Sequence, residues 1–469
     1  VTPPTPSIEP ATPRGRVPWF YRFLHRSYAR GLSINQSFRR RLRPAGIGLI
    51  LLLCLSAVLG AGTKLDGGPQ LFSLSLSLLV VAFGWAWLRR GRLVAVRDLP
   101  RYATAGELVT YQVEVTNTGR WPLKDAWLAE MRPDPRPSLD TFYHSREPGE
   151  ERRNFFDRLF GAYRWQWLIE LNRAFEGGNS LAALRLEPGQ SAHVAVTLRP
   201  LRRGLVRLED LRVLLADPFG LLQRCRKVSA PAATLTVLPR RYRLRPLPLD
   251  GTARFQIGGE VLSNSIGQAG EFLGLRDYRP GDSLRQIHWR SWARLGRPIV
   301  KELEDNFLPR YGLMLDTFPA PGDEVLFEEA VSLAASFAAT LEAHDSLLDL
   351  MFIHGEAHVF TAGRGTAKAE KMLEVLAAVE SDPREDFDAL WQLVLRHRDE
   401  LSACLCVLAG WSGQRAELVR KLAGTDVELV VFVICHDEVS SRQLLEADPA
   451  PVRVHLLGAS RMQADLLAL

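Results

Sequence analysis

Two charge-free apolar stretches, Ala45 to Thr63 and Gln70 to Leu88, constrain this chain more than any other feature: each is 19 residues long and only KLDGGP separates them. At about 1.5 Å of rise per residue, a helix of that length approaches the roughly 30 Å hydrocarbon core of a bilayer. The pair predicts a transmembrane helical hairpin over residues 45–88. The competing readings are a buried hairpin in a soluble core, or a strand at the alternating Ser73-Leu74-Ser75-Leu76-Ser77-Leu78. Paired uncharged spans with basic flanks favour the membrane. The only ionisable residue in either span is the thiol Cys54, which points to a tether and not to a transport path.

Flanking charge sets the orientation. Nine arginines and the single acid Glu9 precede the first span, and Arg89, Arg90 and Arg92 follow the second, whereas the connection holds only Lys64 and Asp66. Lys and Arg are retained on the cytoplasmic side, so a two-span protein of a cell inner or plasma membrane is expected, with both termini and the soluble domains cytoplasmic. A signal peptide fits poorly, because its apolar core is shorter and precedes a small-residue cleavage site. Within the basic N-terminus, residues 1–44, the proline-rich first 18 residues read as disordered. Trp19 to Arg43, aromatic and basic, is expected on the anionic inner leaflet.

The formal charge of +6 would suggest nucleic acid if it were spread evenly, but residues 98–469 hold 45 basic against 51 acidic side chains. The body is mildly acidic, the basic excess belongs to membrane topology, and a nucleic-acid partner is excluded. Five cysteines, one of them inside a span, indicate no disulfide framework. Cys404 and Cys406 share one face of a strand without a second ligand pair, which favours core thiols over zinc.

Val109-Tyr111-Val113-Val115 alternate with polar residues and run into Asn117-Thr118-Gly119, a strand ending in a turn. Ala192 to Leu198 repeats the pattern, so residues 92–239 read as a β-sandwich-like domain. Residues 132–178 interrupt it with charged and aromatic sequence in which Phe156, Leu159, Phe160 and Tyr163 fall at helical spacing and predict a packed face. From residue 310 to 469, strands are predicted at 311–315, 347–353, 403–408, 427–434 and 452–457. Helices are predicted at 324–343, 366–380, 413–423, 440–446 and 460–469. This alternation predicts an α/β domain with a mostly parallel sheet, whose ligands would lie beyond the strands' carboxyl ends, near Asp316 and Gly410. The expected fold is therefore multidomain: transmembrane helical hairpin, β-sandwich-like domain, and C-terminal α/β domain.

Residues 240–309 join these two soluble domains. Arg279-Pro280-Gly281-Asp282 is a turn signal, and Asp282 is positioned to cap a helix over 283–294 in which Ile287, Trp289 or Trp292 and Leu295 face inward. Arg276, Arg285, Arg290 and Arg294 are close enough to pair with Glu271, Asp277 and Asp282.

The run Gly270, Glu271, Phe272, Leu275, Arg276, Tyr278, Gly281, Asp282, Arg285, Ile287, His288, Trp289, Ala293, Arg294 follows G-E-F-x-x-L-R-x-Y-x-x-G-D-x-x-R-x-I-H-W-x-x-x-A-R and resembles the signature of the domain-of-unknown-function 58 family. Arg202-Arg203-Gly204 and Asp217-Pro218-Phe219-Gly220-Leu221 resemble its upstream elements, and the resemblance covers residues 45 to about 435. It implies a membrane-anchored protein with a von Willebrand factor A-like C-terminal region and a partnership with a MoxR-type AAA+ ATPase in assembling or activating other protein complexes. In the A-like fold, a metal-ion-dependent adhesion site presents Asp-x-Ser-x-Ser after the first strand, hard ligands suited to Mg²⁺. Here the sequence reads Asp316-Thr317-Phe318-Pro319-Ala320, and a later Asp-Gly is replaced by Ala409-Gly410-Trp411. The metal site is degenerate, Asp316 is structural, and no cofactor is expected.

Glu271, Asp282 and His288 suggest a hydrolase as an alternative, since a carboxylate can orient an imidazole base. No nucleophile motif or phosphate-binding loop accompanies them, so the leading expectation is a non-enzymatic scaffold. A cell-envelope structural protein facing outward is the third reading.

Overall fold

The computed structural model describes residues 17–62, 67–88, 92–147, 149–245, 271–280, 282, 284–304, 309–320, 322–341, 346–362, 366–382 and 384–469. The disorder expected of the proline-rich start falls on residues 1–16 outside this set, as do Gly270 and Gly281. The chain divides into two units, Val1–Arg240 and Arg241–Leu469.

In the first unit, period-two alternation buries Tyr111, Val113 and Val115 of strand Val109–Asn117. This strand pairs antiparallel with Leu93–Asp98 on one side and Ser191–Pro200 on the other. The sheet continues through Phe175–Ser180, Leu123–Glu130, Leu211–Ala216 and Gln223–Lys227, with Leu184–Leu186 also on Leu123–Glu130. Tyr102–Thr104, Ala233–Leu238 and Gly204–Leu208 form a second sheet, and one apolar core draws Val113, Leu128 and Val196 from the first sheet and Leu208 and Leu235 from the second. Inside this core lies a polar triad. Both Arg97 and the Tyr111 hydroxyl donate to the Glu130 carboxylate, with Arg97 Nη2 at 3.1 Å and Tyr111 at 3.2 Å. Burial, then the adjacent Glu130 charge, pushes the Tyr111 hydroxyl far above its ordinary range.

The expected aromatic stripe of the insertion is not its packed face. Gly161, at φ 61°, breaks the helical run into Phe155–Phe160 and Ala162–Leu171, so the stripe is cut and Phe156 is 69% exposed. Phe142, Trp165 and Leu168 are buried instead, against Leu24 of helix Trp19–Arg41. Beside them Glu150 receives Arg164, a buried pair in which burial raises the carboxyl, but the Arg164 hydrogen bonds, the Glu147 N–H and the Arg164 and Arg146 charges together outweigh it and leave Glu150 below its ordinary value.

Helices Pro44–Gly62 and Gly67–Leu88 follow. Among the described residues one stretch, Gly68–Trp85, is long and apolar enough to cross a membrane by length and composition, and Pro44–Leu59 is a shorter apolar stretch. The base of the first apolar helix is docked on the sandwich. The Asp217 carboxylate accepts the N–H groups of Phe219 and Leu222, at 3.1 and 2.7 Å, folding Asp217–Leu221 into a turn whose Leu221 carbonyl accepts the Arg43 N–H at 3.1 Å. A Cβ on Gly46 would lie 2.1 Å from that carbonyl. Gly46→Ala is therefore expected to pry the helix base from the turn at a cost of about 1–3 kcal/mol. Hydrogen exchange at Phe219 and Leu222 should accelerate; unchanged protection would contradict the docking.

In the second unit six strands lie in the order Glu356–Ala362, Leu347–His354, Arg310–Leu315, Ala403–Ala409, Glu428–Cys435 and Val454–Gly458. All neighbours are parallel except the first pair. Both faces are covered: Phe337 of helix Glu324–Leu341 meets Phe432 on one, and helices Phe387–His397 and Gly413–Ala423 pack on Met314, Met351, Cys404 and Cys406 on the other. The two thiols are buried and unlinked, 3.8 Å apart.

Candidate functional site

The signature segment is a hairpin with a small helical head. Strand Glu271–Asp277 pairs antiparallel with Ile299–Glu304, Asp277 opposite Ile299. Between the strands, Arg276 donates to both oxygens of Asp282 at 2.7 and 2.8 Å, and the Arg279 N–H donates to the same carboxylate at 2.8 Å. The Arg276 hydrogen bonds, then the Arg279 N–H, hold the Asp282 carboxyl below its ordinary range, at about 2. Such a group contributes stability that is present above the ordinary carboxylate pKa and lost as pH falls through the folded value. The clasp is thus expected to weaken from about pH 4 downward and to open near pH 2. An NMR titration of the Arg276 guanidinium should show this, and a midpoint at the ordinary Asp value would contradict it.

Asp282 does not cap the helix. The helix is Trp289–Leu295, and its cap is His288, whose Nδ1 accepts the Ser291 N–H at 3.2 Å and lies 2.7 Å from the Ser291 hydroxyl. Asp282 is consumed by the clasp, which leaves the next suitable acceptor to serve. Ile287 is buried where it bridges Val300, but Trp289 and Leu295 point outward, because a seven-residue helix anchored at Ile287 has no second inward face. The Trp289 and Trp292 rings stack at 5.2 Å and 16°, Trp289 being 63% exposed. Leu275 and Leu284 are also exposed. Of the expected ion pairs Arg276 with Asp282 is formed, and Asp277 pairs with Arg297 at 3.1 Å. Arg285, Arg290 and Arg294 are exposed and have no carboxylate partner among the described residues. Tyr278 serves the hairpin through its N–H, which donates to the Pro298 carbonyl, and Ala293 is exposed on the helix. The side chains of Glu271 and Phe272 lie outside the described residues. Among the described residues no hydrogen bond joins Asp282 to His288: one is held by an arginine, the other by a helix end.

Asp316 lies where the two central strands of the six-stranded sheet end, and it is fully buried. One oxygen accepts the Phe318 N–H at 2.9 Å. The other accepts the Ala409 N–H at 3.0 Å and Arg415 Nε at 2.7 Å. Arg415 also donates from Nη2 to the Phe318 carbonyl at 2.6 Å, and its guanidinium lies 5.3 Å from the Phe387 ring centroid. The cation that answers the carboxylate is therefore a side chain of the chain itself. Gly410, at φ 97°, turns the chain from strand Ala403–Ala409 toward the helix that carries Arg415. Asp382 stitches the neighbouring loops: its carboxylate accepts the Gly355 N–H and its own N–H donates to the Thr317 carbonyl. Burial raises its carboxyl, but the Gly355 and Arg384 N–H groups outweigh that and leave it below its ordinary value. Arg415 is the residue of this site that motif reading missed. A signal existed: an arginine in the first turn of a helix faces the positive end of the macrodipole, which is unfavourable unless a carboxylate receives it.

Residues 274–423 match the family described as "Protein of unknown function DUF58". An uncharacterised protein of Bacillus subtilis, YeaD, is 26% identical over 195 residues, 41% of this chain and 47% of that relative, so the chain spans about half the length of the curated relative it matches. The two matches support the DUF58 family. Among solved structures, the CARDB domain of the PF1109 protein from Pyrococcus furiosus aligns at TM-score 0.16 with 10% identity, over 32% of this chain and 97% of that one. An inactive mutant of a GH20 exo-β-N-acetylglucosaminidase from Vibrio harveyi aligns at 0.15 with 9% identity, over 34% and 20%. At these scores neither carries an argument.

Proposed function

We propose that this protein is a non-enzymatic adaptor, tethered to a cell membrane by two apolar helices with its soluble domains cytoplasmic. In this reading the Gly270–Arg294 segment is presented to a MoxR-type AAA+ ATPase during assembly or activation of other protein complexes. The observation that carries the reading is the exposed Trp289, stacked on half-buried Trp292 in a helical head that also carries the exposed Arg285, Arg290 and Arg294, on a hairpin fastened by Arg276 and Asp282. Tryptophan and arginine dominate the energetics of protein contacts, and guanidinium groups that meet no carboxylate among the described residues call for an acidic face on the partner. The choice of ATPase rests on the family resemblance.

The tether is supported by Gly68–Trp85 and by the large apolar side chains that the two helices leave uncovered, among them Leu51, Val58, Val80 and Phe83. The sheet order, with one antiparallel edge, supports a von Willebrand factor A-like reading of residues 310–469. Arg415 on Asp316 supports a domain that binds partners without a divalent ion.

Affinity purification from membranes in mild detergent, with ATP, ADP or no nucleotide, tests this function. A MoxR-type ATPase should be recovered with the wild-type chain, and Trp289→Ala combined with Arg290→Glu should lower recovery about tenfold or more, as expected for loss of a central anchor. Recovery of no AAA+ ATPase in any nucleotide state, with that ATPase expressed, would overturn it.

A further inference from the structure

Helix Trp19–Arg41 carries two distinct faces. One packs on the insertion: Leu24 is buried, Tyr21 meets Tyr143 at 5.0 Å, His25 meets Trp165 at 5.3 Å, and the Tyr28 hydroxyl donates to the Phe160 carbonyl at 3.2 Å. At 3.6 residues per turn, Trp19, Phe23, Arg26, Arg30, Ile34, Phe38 and Arg41 fall on the adjoining arc of about 120°. That arc is uncovered, with Trp19 at 77% and Ile34 at 69% exposure, and Phe23 and Phe38 also exposed. Arg22, Arg26, Arg30 and Arg41 are exposed too, and the 23-residue helix contains no acidic residue. The same surface extends onto the insertion through Phe160, whose ring lies 6.0 Å from Phe20, to the exposed Phe155 and Phe156.

We infer that this face lies in the headgroup layer of an anionic bilayer, with Trp19, Phe23, Ile34 and Phe38 at the acyl boundary and the arginines on lipid phosphates. Two observations select lipid over a protein. Guanidinium groups are interleaved with aromatic side chains along one arc, the composition of an interfacial helix, in which arginine stems bury while their heads reach phosphate. Only Leu42 and Arg43 separate the helix from the apolar helix Pro44–Gly62, and Arg43 is held on the sandwich by the Leu221 carbonyl. Wherever Pro44–Gly62 enters a bilayer, Phe38 and Arg41 are delivered to its surface. The packed face then makes the sandwich lie against the membrane instead of swinging on a flexible leash. The inference rests on the membrane reading above and is independent of the ATPase.

The test uses the intact chain, with its reactive native cysteines replaced, in nanodiscs of phosphatidylcholine and phosphatidylglycerol. A fluorophore is placed on Phe23→Cys, Ile34→Cys or Val80→Cys. Lipids carrying a shallow spin label should quench Phe23→Cys and Ile34→Cys, and lipids with a deep label should quench Val80→Cys. Adding Arg26→Glu and Arg30→Glu should reduce the shallow quenching at Ile34→Cys. Quenching at Val80→Cys with none at Phe23→Cys or Ile34→Cys would overturn the inference, assign the face to a protein and leave the span standing. No quenching at any position would remove the membrane reading as well.

Discussion

Arg415→Ala is expected to destabilise the C-terminal α/β unit by about 3–5 kcal/mol, the usual cost of removing one member of a buried ion pair. Asp316 is fully buried and Arg415 nearly so, and the substitution strands more than the carboxylate: the Phe318 carbonyl loses its donor and the Phe387 ring its cation. Asp316 keeps the Phe318 and Ala409 N–H groups, so the loss falls on charge balance and not on every hydrogen bond. Arg415→Lys should recover only part, because an ammonium is a point charge that cannot reproduce the planar fork reaching both Asp316 and the Phe318 carbonyl. Asp316→Asn combined with Arg415→Met should cost less than the two single changes together, since neither then leaves an unpaired charge. Chemical denaturation followed by hydrogen exchange in strand Ala403–Ala409 localises the effect. A loss below about 1 kcal/mol would mean that the pair is solvated and the site open.

Glu130→Ala should destabilise the β-sandwich by a similar amount, about 3–5 kcal/mol. Its carboxylate receives Arg97 and Tyr111 in the interior, and the Arg97 side chain is 1% exposed. Removing it leaves a buried guanidinium whose one other acceptor among the described residues is the Pro231 carbonyl, and leaves the Tyr111 hydroxyl without its Glu130 acceptor. Glu130→Gln retains an acceptor and should cost less, which separates the charge from the hydrogen bonds. Spectrophotometric titration gives an independent check: Tyr111, held far above the ordinary range by burial and then by Glu130, should begin to ionise closer to that range once Glu130 is alanine. The stability of each variant is read by denaturant melts with exchange measured in strands Leu93–Asp98 and Val109–Asn117. An unchanged melt would contradict the closed interior described here.

The regular parts of the fold were legible because they obey one period over several residues. Val109–Asn117 and Ser191–Pro200 alternate cleanly, and the buried parallel strands read as continuous apolar runs between helical segments. The edge strand Glu356–Ala362 shows only a hairpin turn at Gly355 and no strand period of its own, because its exposed positions break the apolar run, and Phe175–Ser180 is hidden by Gly177 and Gly178. Helix Phe387–His397 was overlooked although Phe387, Leu390, Leu393 and Val394 mark its buried face. At the candidate site the signature was visible as a motif, but its roles were not. Asp282 went to Arg276 and the cap fell to His288, an outcome set by which donors the turn brings close. Asp316 was read as a carboxylate without its metal partners. The residue that completes it, Arg415, lies 99 positions away, beyond the reach of local patterning.

The exposed Trp289 face is proposed as a docking surface for an AAA+ ATPase. Its most direct test replaces Trp289 with a photoreactive benzoylphenylalanine in the intact chain, irradiates the native membranes, and identifies the adduct by mass spectrometry. The same probe at Val439, exposed elsewhere in the second unit, serves as reference. A crosslink to a MoxR-type ATPase is expected from position 289 and none from 439. Absence of that adduct at 289 with the ATPase present, or the same adduct from both positions, would contradict it.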